Sequence, residues 1–233
     1  MLINYDKQID KLIKVRKGEV SEGYKLDIPQ IDEYFRFKKS NFNLILGHAN
    51  SGKTTITLYL MLLYSVVHKL KWLVFSSEND PHQMIKKLIE FLEEKPINLI
   101  KEEEFNKHAK FVYQHFKFVD AQELYTYKQL ISLGESINKV WKYDGFLIDP
   151  YNSLSIDRNV LGGINKHDYD YQATSEMRNF CKKENVSIWL TTHAATNALR
   201  IKHPAGHPYQ GHPIPPLAAD VEGGGKFVNR ADD

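Results

Sequence analysis

The chain has 233 residues, enough for one domain of ordinary core size with a short appendage. A hydrophobic fraction of 42% with 26% charged residues describes a globular protein that folds in water, and a net charge of +2 is too small to argue by itself for a nucleic-acid or membrane partner. The single cysteine, Cys181, excludes an internal disulfide framework, and no apolar run is long enough to cross a bilayer or to act as a signal peptide, so a cytoplasmic protein is expected.

In chain order, Ile9, Leu12 and Ile13 recur at helical spacing among charged residues, which predicts a short amphipathic helix. Such a helix is marginal alone and has to pack on its own domain or on a neighbouring subunit. Gly18 and Gly23 bracket a linker, so residues 1–22 read as linker helix and linker and 23–233 as the main domain. Phe42 to Leu46 suits a buried parallel strand, and Thr54 to Leu70 is long, apolar and free of Gly and Pro, as a buried helix would be. Lys71 to Glu78 reads as a second strand ending in an acid. Asn79 or Asp80 then caps a helix that has Pro81 in its first turn and runs to about Glu94. Residues 102–115 read as a solvated helix, Phe116 to Asp120 as a third strand and Tyr125 to Lys142 as a helix. Gly145 to Asp149 is a fourth strand, again ending in an acid. A polar loop over Asn152 to Lys166, a helix over Asp168 to Lys183 and a fifth strand over Ser187 to His193 follow. Strands alternating with helices predict an α/β domain with a mostly parallel central sheet flanked by helices. Five prolines forbid regular structure over much of 203–216. His203, His207 and His212, each followed by proline, raise a metal reading, but no cysteine or carboxylate accompanies them and a plain loop is expected.

Chemistry concentrates in Gly47-His48-Ala49-Asn50-Ser51-Gly52-Lys53-Thr54, which reads G-x-x-x-x-G-K-[ST] between a strand and a helix. There, backbone N–H groups and the helix dipole favour phosphate, so residues 47 to 54 with Thr55 are expected to bind ATP. Lys53 is expected at the β- and γ-phosphates, and the Thr54 hydroxyl on Mg²⁺. Ligands of open parallel sheets lie at the carboxyl ends of the strands, where Glu78, Asp149 and His193 also fall. Asp149 is expected to hold Mg²⁺ through water. Glu78 is placed to polarise an attacking water, and His193 to report the γ-phosphate.

The P-loop, Ser76-Ser77-Glu78, the Phe-Leu-Ile-Asp149 strand and Thr191-Thr192-His193 resemble, in this order, the RecA-like motor of DnaB-type replicative helicases, with the phage and Twinkle-like branch nearest. Gly23-Tyr24 through Asp32 resembles the segment leading into that motor, and Ala219 to Lys226 resembles its Asp-x-x-Gly-Ser-Gly loop. The resemblance implies a RecA-like P-loop NTPase fold and a homo-oligomeric, usually hexameric, ring that hydrolyses ATP with Mg²⁺ at subunit interfaces. It also implies movement 5′ to 3′ on single-stranded DNA, with a primase or loader as a possible partner. Carried over by position, Glu78 is the catalytic base and His193 the γ-phosphate sensor. Arg158, Lys166, Gly223, Gly224, Gly225 and Lys226 face the strand. The family continues past the position of Asp233 with a strand and a basic hairpin that supplies an arginine finger, so a chain ending there is expected to hydrolyse ATP poorly. Two alternatives stand beside this reading: a RecA- or KaiC-like ATPase of recombination or repair, and a non-catalytic ring or adaptor whose assembly nucleotide sets.

Overall fold

A computed structural model describes residues 4–19 and 23–233, so linker residues 20–22 lie outside the described residues. The chain divides into two compact units, residues 1–38 and 39–233. In the first, α1 (Tyr5–Arg16) carries Asp6 in its first turn and Lys14 and Arg16 in its last, the order that complements a helix dipole. The single turn α2 (Pro29–Asp32) is fixed by the Asp32 carboxylate, which accepts the N–H groups of Leu26 at 2.8 Å and Ile28 at 3.1 Å.

The second unit runs β1 (Phe42–Gly47), α3 (Lys53–His68), β2 (Trp72–Ser76), α4 (Pro81–Glu93), α5 (Glu102–His115), β3 (Phe116–Phe118) and α6 (Tyr127–Val140). It continues through β4 (Gly145–Asp149), α7 (Arg158–Leu161), α8 (Lys166–Glu184) and β5 (Ser187–His193). All five strands are parallel, in the order β1-β5-β4-β2-β3. The α/β architecture with a parallel sheet is as expected from the sequence. Four local differences are seen. The P-loop helix begins at Lys53 and ends at His68, because Lys69 takes a left-handed conformation and returns its N–H to Ser65 O. β2 stops at Ser76, which leaves Glu78 two residues beyond the strand end. The loop expected over 152–166 contains the one-turn helix α7. The helix expected to be solvated, α5, buries Val112 and His115, whose ring nitrogen lies 2.9 Å from the Leu70 carbonyl.

Side chains of each strand alternate between the two helical layers, as the period of a strand requires. Phe42, Leu73, Phe75, Phe146, Ile148, Ile188 and Leu190 join one buried cluster with Tyr127 and Leu130 of α6 and Ala173, Met177 and Phe180 of α8. On the opposite face Tyr64 of α3 meets Trp72 and Trp189, whose rings cross edge to face 5.2 Å apart. Gly145 admits this stack, since a Cβ there would stand 2.2 Å from the Trp72 ring. Caps set the helix starts: Thr126 and Gln129 exchange both bonds of a capping box before α6, and Asn165 accepts from Asp168 N before α8. Strand pairing holds the ends of β1 and β5, and of β2 and β4, in register, with Gly47 beside His193 and Ser76 beside Asp149. Among the described residues, no helix is long and apolar enough to cross a membrane.

Candidate nucleotide-binding site

The loop after β1 is shaped by glycine at both ends. A Cβ at Gly47 would lie 2.8 Å from Ser51 Oγ and 3.0 Å from Lys53 Cγ, closer than real side chains allow. Gly52 has φ +84 and Asn50 φ +58, so two left-handed residues turn the backbone into the start of α3. This turn directs the first N–H groups of the helix at the space in front of it. That space is an open cleft of about 450 Å³ lined by Ala49 to Thr55, Glu78, Asn79, Lys87 and His193. Glu78 and His193, far apart in sequence, thus border the same cleft as the loop.

Lys53 donates to Gly47 O at 3.2 Å, to His48 O at 2.8 Å and to His193 Nδ1 at 3.2 Å. The other ring nitrogen of His193, Nε2, faces Glu78 Oε1 at 3.4 Å, so the tautomer with its proton on Nε2 satisfies both contacts. Lys53, His193 and Glu78 thus form one row across the cleft. Burial lowers the pKa of the Lys53 amine, an effect that the negative charges of Asp149 and Glu78 oppose.

Asp149 is almost wholly buried, and its carboxylate accepts three hydroxyl hydrogen bonds. Thr54 and Ser76 donate to Oδ2 at 2.9 Å each, and Thr191 donates to Oδ1 at 2.5 Å. The Thr54–Asp149 pair offers hard oxygen donors at the mouth of the phosphate loop, a set that fits Mg²⁺. Among the described residues no group of three or more His, Cys, Asp and Glu side chains is arranged to hold a metal, the three histidines of 203–212 included.

Several participants carry no signal in the linear sequence. Lys87, on α4, donates to Thr55 Oγ1 at 3.0 Å and lines the cleft, yet it reads as an ordinary surface lysine of an amphipathic helix. Asn152, just past β4, accepts from Thr192 Oγ1 at 2.8 Å and His193 N at 3.1 Å, and donates to Glu222 Oε2 at 2.8 Å. Ser76 and Thr191 do carry a signal, since both lie in stretches that support the family resemblance: Ser76 ends β2 beside Asp149, and Thr191 lies two residues before the end of β5.

The residues expected to face a strand are placed unevenly. Arg158 is exposed at the start of α7, and Gly224 and Gly225 border open space. Gly223, with φ +97, packs against Phe227. Lys166 is exposed but bonded to Asp170 at 2.8 Å. Lys226 is turned inward: its ammonium is buried, donates to His167 O at 2.8 Å and lies 3.9 Å from Asp170. Burial also pushes its pKa down. The expected outward aim of Lys226 is therefore not seen, because Phe227 and Val221 enter the core on either side and carry the intervening turn down onto α8.

A parallel sheet, a glycine-bounded phosphate loop and a buried strand-end aspartate bonded to the loop threonine define a RecA-like P-loop NTPase fold. No protein-family model matches the sequence, and no match was found among curated proteins. Among solved structures, the chain is similar over its full length to one described as an ATPase domain, with a TM-score of 0.73, 14% sequence identity and 82% of that chain covered. It is likewise similar to a DnaB-like replicative helicase described with its interactions with primase. There the TM-score is 0.71 at 14% identity, and this chain covers 55% of that one. The fold is that of a DnaB-type helicase ATPase domain.

Proposed function

We propose that this chain is the ATP-driven motor domain of a replicative DNA helicase. The observation that carries the reading is the convergence of Lys53, Thr54, Glu78 and His193 on one cleft at the carboxyl ends of the strands, with the buried Asp149 behind it bonded to Thr54. Residues 47 to 55 bind the phosphates of ATP, with the Lys53 ammonium leaving the loop carbonyls for phosphate oxygens. Thr54 and, through water, Asp149 would hold Mg²⁺, which would supply neutralisation of phosphate charge. Glu78 accepts the proton of the attacking water. The Nε2–H of His193, which faces Glu78 before ATP binds, turns to the γ-phosphate and registers its loss on hydrolysis.

The resemblance and the fold likeness to the two solved structures support the rest of the proposal. The domain works in a homo-oligomeric ring, taken as a hexamer, moves 5′ to 3′ on single-stranded DNA and is open to a primase or loader. Within it, Arg158, Lys166 and the Gly223 to Gly225 turn, whose backbone N–H groups allow close approach to phosphate, border the strand. Lys226 contributes by holding that turn on α8.

The test is steady-state ATP hydrolysis with and without a short single-stranded DNA, using Lys53→Ala as the blank. Turnover that the DNA stimulates and Lys53→Ala abolishes is the expected result. Nucleotide binding and ring formation with no turnover under either condition would replace the motor with a ring whose assembly nucleotide controls.

A further inference from the structure

Lys53 is the residue expected at the phosphates, yet its ammonium is fully committed to protein acceptors. Its N–H groups meet Gly47 O at 3.2 Å, His48 O at 2.8 Å and His193 Nδ1 at 3.2 Å, and an ammonium has no fourth donor. The acceptors differ in kind. The two carbonyls belong to the phosphate loop itself and come with its fold. The imidazole is brought from the end of β5, 140 residues away.

His193 is held so that its ring is the part left to move. Its N–H donates to Asn152 Oδ1 at 3.1 Å, its carbonyl accepts from Glu222 N at 3.1 Å, and its backbone lies in register with Gly47 of β1. Thr192 beside it donates to the same Asn152 oxygen at 2.8 Å. The far nitrogen of the ring, Nε2, meets only the exposed Glu78, at 3.4 Å. A turn about the side-chain bonds therefore releases the ammonium with no rearrangement of the sheet.

A phosphate oxygen that takes a proton of Lys53 has to displace one of the three acceptors, and Nδ1 is the one with freedom to leave. We propose that His193 competes with phosphate for the Lys53 ammonium, so that it loosens the hold of the site on any nucleotide with a β-phosphate and takes the ammonium back as ADP departs. In this role His193 is a positioning residue that acts through Lys53. The role is separate from sensing the γ-phosphate: it uses Nδ1 rather than Nε2, and ADP, which has no γ-phosphate, is subject to it. The proposal rests on the motor reading, in which Lys53 meets the β- and γ-phosphates.

The test is the dissociation constant of a fluorescent ADP analogue in the presence of Mg²⁺, measured on the full chain and on His193→Ala, His193→Leu and His193→Asn. Asparagine keeps an acceptor at the reach of Nδ1 and has nothing at the position of Nε2, whereas leucine keeps bulk without an acceptor. The cleft is open, so water can meet the freed donor, and loss of the competing hydrogen bond tightens ADP binding about fivefold in His193→Ala and His193→Leu. His193→Asn binds ADP as wild type does. Loss of a merely structural contact would weaken ADP binding rather than tighten it. ADP affinity equal to or below wild type in both His193→Ala and His193→Leu overturns the proposal, while the motor reading stands on its own test of ATP hydrolysis. Equal tightening in all three variants also overturns it, since the acceptor would then have no part. A wild-type chain that binds neither ADP nor an ATP analogue overturns the nucleotide site itself, and the proposal falls with it.

Discussion

Thr191→Val examines the arrangement around Asp149 with little change of shape. Thr191 is the sole donor to Oδ1 of that carboxylate among the described residues, at 2.5 Å, while Thr54 and Ser76 share Oδ2. Both side chains are buried, so water has no ready access to replace the lost hydroxyl. A hydrogen bond to a charged group contributes about 1.5–3 kcal/mol, and leaving a buried carboxylate oxygen unpaired removes all of it. For a domain of this size each kcal/mol moves the melting temperature by about 2–4 °C, so Thr191→Val should melt about 3–12 °C below wild type. Thr191→Ser keeps the donor and should recover most of the loss. The assay is thermal unfolding without nucleotide, followed by a titration of the Mg²⁺ requirement for binding an ATP analogue. The requirement should rise in Thr191→Val, because the carboxylate is then free to rotate away from Thr54. A shift of under about 1 °C, with an unchanged Mg²⁺ requirement, would show that Thr191 does not position Asp149.

Other substitutions probe separate parts of the argument. Lys87→Ala removes a cation from the cleft wall and should weaken ATP-analogue binding roughly tenfold, about 1.4 kcal/mol, with no change in melting temperature. Equal affinity would place Lys87 outside the nucleotide contact. Gly145→Ala forces a Cβ to 2.2 Å from the Trp72 ring and should cost about 1–3 kcal/mol, read by urea denaturation with tryptophan fluorescence. The Lys53 amine carries a pH signature of definite sign. Its folded pKa is lowered from 10.5, so the unfolded chain holds this proton more tightly. The resulting penalty is fully present at neutral pH and is relieved as pH rises through the folded pKa towards 10.5. Wild type should therefore gain stability relative to Lys53→Met over that alkaline window, and parallel curves from urea titrations would contradict the burial argument.

Much of the site was legible because its signals are local. The phosphate loop needs a strand, two glycines and a helix start within about a dozen residues, and Phe42 to Thr54 supplies all of them in order. Glu78, Asp149 and His193 were legible for a related reason: each ends or just follows an apolar run, and parallel strands bring such ends to one edge. Periodicity does not encode the strand order β1-β5-β4-β2-β3, which decides that Gly47 lies beside His193 and Ser76 beside Asp149. Lys87 was hidden because a helical face presents lysines in the same pattern whether they meet solvent or a phosphate cleft.

Lys226 shows where local chemistry misleads. A lysine after three glycines reads as a mobile cation, yet Val221 and Phe227 are both buried and bind the two ends of that turn to the core. The chain between them has only five residues, too few to lift Lys226 clear of α8, so its ammonium goes to His167 O and to the neighbourhood of Asp170. Arg200 and Lys202 are the opposite case. Prolines and glycines leave their loop with little to bury, so the cations stay exposed. What separates the two cases is whether the turn that carries the charge is packed down at both ends: Lys226 lies between buried Val221 and Phe227, whereas Arg200 and Lys202 follow buried Ala198 into an exposed loop. By that measure Lys226→Met should lower folding stability, whereas Arg200→Ala/Lys202→Ala should leave it unchanged. Urea titrations of the two variants read this, and an equal loss of stability in both would refute the distinction.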